Sequence, residues 1–174
     1  MRFEIIADEA MQMHAGEPLA SFYQLSPFVW RQNGDFHVMI RAVPYSEDPA
    51  KKVARIYHGT SNDGLVFHMD ESPAIVPGPD ENDADGCEDP TIASVEDSLH
   101  VYYTGWNQTR RRGCLMLASG PDANHLQKRG VALDSALGRD NPKEAEIALT
   151  EDGTWRLFFE YAAGDASRIG LASS

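Results

Sequence analysis

Several features of secreted, membrane and nucleic-acid-binding proteins are missing from this chain of 174 residues. Its two cysteines, Cys87 and Cys114, are too few for a disulfide scaffold and favour a reducing, cytoplasmic setting. No apolar run approaches the roughly 20 residues of a membrane helix. Four carboxylates interrupt residues 1–25, so no signal peptide is predicted. A net charge of −12 argues against nucleic acid or an anionic membrane as partner, and leaves neutral ligands such as sugars.

The chain contains internally repeated strand–turn–strand units. Residues 26–29 read like residues 89–92, and residues 36–41 read like residues 99–104, in both cases at an offset of 63 residues. The first turn is Asn33-Gly34, the strongest short hairpin signal. A third copy leads from Ile147 through an acidic Gly-containing turn into residues 155–160, at an offset of 56 residues from Leu99.

This repeat predicts an all-β, β-propeller-like domain, because hairpins recurring at a fixed period are typical of propeller blades. We expect one partial propeller over residues 1–174, with four-stranded blade-like units at about 25–80, 86–135 and 141–174. An unrelated β-sandwich with fortuitous internal similarity is the alternative fold. The order of the strands within each sheet distinguishes the two.

Two adjacent carboxylates, Glu88 and Asp89, stand between a Pro- and Asp-rich loop and the apolar run that starts at Thr91. Pro90 has no N–H and fixes its φ, so it places the pair at a strand entrance or edge. A carboxylate held there can be partly desolvated, which raises its pKa toward that of a useful general acid. The alternative is a solvated acidic turn.

No metal site is predicted. Residues 81–86 imitate the start of a calcium loop, but Ile92 occupies the twelfth position, where such loops need a glutamate.

Five short motifs, in the same order along the chain, resemble those of five-bladed β-propeller glycosidases, in particular glycoside hydrolase family 130. They lie at residues 39–43, 61–67, 86–90, 101–106 and 141–145, and the resemblance covers about residues 25–174. It implies cleavage of a β-mannoside with inversion, by phosphate or by water. The general acid would be Asp89. The expected partner is an oligosaccharide or small glycoside, with inorganic phosphate as candidate co-substrate and no other cofactor.

Further roles follow from this resemblance and from side-chain chemistry. Expected sugar contacts are Glu88, Arg41, Tyr103, Trp106, Asn107 and Glu144, and expected phosphate ligands are Arg41, Lys143 and Arg112. Each has an alternative: Arg41 could form an ion pair with Asp89 or Glu88, the aromatic residues could belong to the core, and the tract 110–112 could be a solvated loop.

The chain departs from the family pattern in length and at single positions. Five blades would need roughly 280 residues by scaling of the repeat. Cys114 stands where the family usually has a phosphate-binding arginine, and Glu144 stands where it has an aspartate. A non-catalytic carbohydrate-binding or assembly module is therefore the alternative function. Because a partial propeller exposes sheet faces, we expect a homo-oligomer that covers them.

Overall fold

The computed structural model describes residues 11–136 and 138–173, which form three consecutive β-sheets. The first contains β1 (Gln12–His14), β2 (Phe22–Gln32), β3 (Asp35–Pro44), β4 (Arg55–Ser61) and β5 (Val66–Met69). The second contains β6 (Gly86–Val95), β7 (Ser98–Asn107), β8 (Arg112–Gly120) and β9 (Gln127–Leu133). The third contains β10 (Asp140–Leu149), β11 (Trp155–Ala163) and β12 (Ala166–Ser173). The only helical elements in the described ranges are three single-turn 3₁₀ segments, Leu19–Ser21, Pro49–Lys51 and Glu81–Asp83. The all-β prediction is confirmed.

The second sheet has the expected four strands, and the first and third sheets differ from that number. From β2, β6 or β10 onward, every sheet is an antiparallel meander in which each strand pairs with the next. The first sheet gains a fifth strand because β1 pairs in parallel with β5. The third sheet has three strands in the described part of the chain.

The repeat in the sequence corresponds to a repeat in strand register. The register of the strand pairs β2–β3, β6–β7 and β10–β11 shifts at the same place in each sheet. The shifts lie between Leu25 and Phe28, between Glu88 and Thr91, and between Lys143 and Glu146. The residue after the first member of each pair has a left-handed φ: Ser26 (48°), Asp89 (48°) and Glu144 (48°). A β-bulge therefore recurs in all three sheets, and β-bulges often re-aim side chains beside functional sites.

The hydrophobic core lies between successive sheets and against the outer face of the first. Leu19 and its neighbours pack on the first sheet around Val38 and Phe67. A second cluster, which includes Met39 and Val101, joins the first sheet to the second, and Leu115 with Phe159 joins the second to the third. The first strands β2, β6 and β10 also contact one another in sequence order, which brings their bulges toward a common region.

A buried carboxylate holds the long loop between the first and second sheets. Asp83 is fully buried and accepts hydrogen bonds from the Tyr103 hydroxyl (2.8 Å), the Gly78 amide (3.1 Å) and the Lys128 ammonium group. Lys128 also donates to the carbonyl oxygens of Val76 and Gly78. Because each of these partners satisfies a buried polar group, the loop is fixed against the second sheet.

None of the described helical segments is long and apolar enough to cross a membrane.

Candidate functional site

The predicted carboxylate pair lies at the bulge of β6, where it meets the first sheet. The Ser26 hydroxyl donates to Asp89 Oδ1 at 2.6 Å, and one guanidinium nitrogen of Arg41 lies 3.4 Å from the same oxygen. The other terminal nitrogen of Arg41 lies 3.0 Å from Glu88 Oε1. Arg41 thus forms the ion pair that was its alternative role, and it pairs with both carboxylates at once.

Backbone and side chain both mark this bulge as unusual. The Asp89 side chain is 12% exposed, and its left-handed φ is uncommon for a residue other than glycine. Among the described residues, Arg41 Nε and Thr104 Oγ1 are buried without a hydrogen-bond partner. Buried polar groups are nearly always paired, so these two unpaired atoms are exceptions beside the bulge.

Glu88 has the chemistry of a proton-carrying carboxyl group. Burial raises its pKa above the ordinary value, and the negative charge of Asp89 adds to the increase, while Arg41 and Lys143 oppose it. Desolvation therefore exceeds the effect of the two cations, so Glu88 keeps a proton to higher pH than a solvated glutamate.

Two pockets meet at Glu88 and Trp106. One, of about 370 Å³, lies between the second and third sheets, and its other lining residues are Thr104, Gly113, Asn141, Lys143, Glu160, Ala162 and Ser167. We call it the inter-sheet pocket. The other, of about 450 Å³, lies toward the first sheet and is lined also by Asp48, Pro49, Ala50, Lys52, Val53, Asp85 and Gln108. We call it the rim pocket. The indole N–H of Trp106 donates to Gln108 at 3.0 Å, which fixes the ring between the two pockets.

Lys143 and Glu160 form the far wall of the inter-sheet pocket. They face each other across the β10–β11 ladder, with Lys143 Nζ 3.4 Å from Glu160 Oε1. The Ser167 hydroxyl donates to Glu160 at 2.7 Å, and this bond is the largest cause that lowers the pKa of Glu160, with Lys143 adding to it. The pKa of Glu160 is therefore lowered, whereas that of Glu88, on the opposite wall of the pocket, is raised.

Two of the expected sugar contacts have structural roles instead. Tyr103 is fully buried and its hydroxyl donates to Asp83, so neither face of its ring can stack on a sugar. The Asn107 amide donates to the Glu81 carbonyl at 2.6 Å and accepts from the Arg110 amide at 2.8 Å. Asn107 is thus committed to its own turn, and the prediction of a sugar contact is corrected for both residues.

The structure places two further candidates away from the carboxylate pair. Arg112 pairs with Asp134 at 2.8 Å and lines a separate, arginine-rich pocket. The Glu144 side chain is 54% exposed and lines a groove on the free face of the third sheet, although it lies 3.8 Å from Lys143. Arg41, Glu88, Asp89, Trp106 and Lys143 are the predicted residues that converge.

Ser26 and Glu160 were missed by the sequence analysis, although the repeat carried a signal for both. Ser26 occupies the bulge position of Asp89 in the first unit. Glu160 occupies the register position of Arg41 and Thr104 in the third unit, opposite Lys143. Each could have been found by comparing the three copies position by position.

In the two described ranges, no group of three or more histidine, cysteine, aspartate or glutamate side chains could hold a metal ion.

Comparison with solved structures relates this fold to carbohydrate-active enzymes. The family 117 glycoside hydrolase Zg3597 of Zobellia galactanivorans superposes with a TM-score of 0.78 at 14% identity, over 95% of this chain and 56% of that protein. Fructan 1-exohydrolase IIa of Cichorium intybus gives 0.76 at 21% identity, over 92% of this chain and 31% of that protein. The β-1,2-mannobiose phosphorylase of Listeria innocua gives 0.70 at 17% identity, over 92% of this chain and 58% of that protein.

These similarities define the class of fold. The chain has the propeller-like all-β architecture of these enzymes, as predicted. It spans between about a third and three fifths of their lengths. No protein-family model and no curated protein sequence matches the chain.

Proposed function

We propose that this protein cleaves a glycosidic bond with inversion, that a β-mannoside is its substrate, and that Asp89 is its general acid. The observation that carries the proposal is the convergence of Asp89, Glu88 and Arg41 at the bulge of β6, where Glu88 lines both the inter-sheet pocket and the rim pocket. The propeller glycosidases and the phosphorylase that share the fold support the choice of a sugar substrate.

The charges at the bulge suit acid catalysis. A single guanidinium faces two adjacent carboxyl groups, so a proton retained by one of them leaves a neutral trio. The Ser26 hydroxyl and Arg41 hold Asp89 Oδ1 in place, which leaves its second oxygen to reach a leaving group. Glycoside hydrolysis needs such an oriented acid on one side of the sugar ring and a nucleophile on the other.

The two pockets account for binding on both sides of the cleaved bond. Trp106 presents an aromatic surface to each pocket, and aromatic rings stack on the apolar faces of sugars. Thr104 lines the inter-sheet pocket, and its hydroxyl has no hydrogen-bond partner among the described residues, so it supplies a polar contact to a sugar bound there. We propose that the inter-sheet pocket and the rim pocket each hold one sugar unit.

The decisive experiment compares Asp89→Asn and Glu88→Gln with the exposed-turn control Asp97→Asn on a panel of β-mannosides. Loss of the general acid should lower turnover by about 10²–10⁴-fold, while calorimetric affinity for mannobiose stays within a few-fold of wild type. Collapse in Glu88→Gln with near-normal turnover in Asp89→Asn would transfer the acid role to Glu88. A wild-type protein that turns over no mannoside, with or without phosphate, would exclude the enzymatic proposal.

A non-catalytic carbohydrate-binding or assembly module is the second candidate. It is favoured by the lining of the two pockets, which includes Glu88 and Trp106 but not the proposed acid Asp89. Saturable mannoside binding that is weakened by Trp106→Ala, in the absence of any turnover, would support this alternative.

A further inference from the structure

The three cations expected to bind phosphate are each paired with a carboxylate already. Arg41 pairs with Glu88 and Asp89, Lys143 with Glu160 and Glu144, and Arg112 with Asp134. A phosphate anion entering beside any of them would have to displace a carboxylate or accept its repulsion. The cost of such like-charge contacts is high where solvent is partly excluded.

The same three cations also do not surround a common position at which a phosphate group could bind. Lys143 lines the inter-sheet pocket, whereas Arg112 lines the separate arginine-rich pocket. Arg41 lines neither of these and approaches the bulge from the first sheet. Bidentate arginine contacts are the usual means of fixing a phosphate group, and no pair of these side chains is placed to provide them together.

Glu160, in contrast, has the surroundings of a proton acceptor. Its carboxylate accepts the Ser167 hydroxyl at 2.7 Å and lies 3.4 Å from Lys143 Nζ, which keeps it ionised and orients it. Its side chain is 26% exposed, so water reaches it without fully solvating it. It lines the inter-sheet pocket together with Glu88, the neighbour of Asp89.

We propose that the nucleophile of this reaction is water and that Glu160 is the general base that activates it. The inference rests on the proposed glycoside cleavage and deepens it by choosing between water and phosphate.

In this step, the water oxygen forms a bond to the anomeric carbon as the bond from that carbon to the leaving oxygen breaks. The electron pair of the broken bond stays on the leaving oxygen, which takes the proton of Asp89. The attacking water gives its proton to Glu160. The products are a free sugar of inverted configuration and the alcohol of the leaving group, and no further reactant is required.

The first test removes the base without changing its shape. Glu160→Gln should lower turnover by about 10²–10³-fold, since general base catalysis contributes on this scale. Sodium azide should restore turnover in this variant and form a glycosyl azide, because azide attacks without losing a proton. The matched control is Glu146→Gln, on the neighbouring strand: Glu146 lines the groove on the free face together with Glu160 but not the inter-sheet pocket.

The second test uses pH. The acid limb of kcat/KM should report ionisation of Glu160, which must be deprotonated to accept a proton. Ser167→Ala removes the hydrogen bond that lowers the pKa of Glu160, so the limb should move to higher pH. A purely structural role of Glu160 would leave the limb in place.

Product analysis separates this inference from the proposed function. Free sugar formed at the same rate with and without phosphate, together with azide rescue, supports it. A sugar phosphate product, or a normal rate in Glu160→Gln beside a collapsed rate in Asp89→Asn, would overturn it and leave glycoside cleavage standing. Absence of wild-type turnover on every glycoside would overturn both.

Discussion

At the scale of single residues, burial separates structural from functional members of one strand. Tyr103 and Trp106 both lie on β7, but Tyr103 is fully buried and Trp106 lines both pockets. The Tyr103 hydroxyl belongs to the buried group around Asp83, where a missing donor would leave a carboxylate under-satisfied. The Tyr103 side chain therefore matters to the stability of the fold and not to sugar binding.

We predict that Tyr103→Phe destabilises the fold by about 1–3 kcal/mol, because Asp83 loses a donor in a site that water does not reach. Urea unfolding monitored by circular dichroism measures the change. Tyr102→Phe is the matched control, since Tyr102 is the adjacent, partly exposed tyrosine on the same strand. Affinity for mannosides should stay unchanged in both variants. A Tyr103→Phe protein as stable as wild type would show that Lys128 and the Gly78 amide satisfy Asp83 without the tyrosine.

At the scale of elements, the recurring β-bulge is the feature that positions side chains at the candidate site. Each bulge leaves one residue in a left-handed conformation near the start of its sheet, and contacts between β2 and β6 bring Ser26 to Asp89. The turn of the first hairpin is less demanding, because Asn33 and Gly34 are residues suited to the positive φ that they adopt there.

Close packing around Gly120, at the end of β8, provides a test of the backbone packing in the second sheet. A Cβ atom at Gly120 would overlap the backbone carbonyl oxygen of His125, which cannot move like the tip of a side chain. We predict that Gly120→Ala lowers the free energy of unfolding by about 1–3 kcal/mol or more. Gly16→Ala is the control, since no atom lies within 4 Å of its added Cβ. Equal melting temperatures for the two variants would contradict this packing.

At the scale of the whole molecule, the third sheet has a face that the described residues leave open. Phe158, Ile169 and Leu171 are exposed by 40%, 82% and 58%, and Phe158 pairs with Leu171 across the β11–β12 ladder. Contiguous apolar surface of this kind marks an interaction site in soluble proteins. The groove on this face is lined by the acidic Glu144, Glu146 and Glu160 and by the basic Arg168, so two copies that meet through this face can pair charges of opposite sign.

We propose that a second copy of this chain covers the apolar part of that face, formed by Phe158, Ile169 and Leu171, and leaves Glu160 accessible to water. Ile169→Glu should shift the protein to a monomer, because a charge would replace the most exposed apolar side chain of the face. Sedimentation at micromolar concentration measures the change, and Val131→Glu, on the second sheet, is a control of similar chemistry. A wild-type protein that sediments as a single 19.2 kDa species would contradict the proposal.

The sequence by itself determined the β-rich, repeating character of the fold. Alternating apolar residues and turn signals such as Asn33-Gly34 specify strands and hairpins locally, and the recurrence of the pattern gave the number of units. The same local rules predicted that Glu88 and Asp89 lie at a strand entrance or edge, because Pro90 restricts only its neighbours. The extra strand β1 escaped prediction, since its parallel pairing with β5 joins residues that are distant in sequence.

Only the tertiary structure decided which side chains contact one another and which remain accessible to a ligand. Side chains four residues apart on one strand, such as Tyr103 and Asn107, became core and turn contacts because the loop carrying Asp83 and Glu81 folds over them. The pairing of Arg41 with Glu88 and Asp89 depends on how the first sheet packs against the second. The contact of Lys143 with Glu160 depends on the register of β10 and β11 in the third sheet. No local rule encodes those distances, because burial and long-range electrostatics arise only once the sheets have assembled.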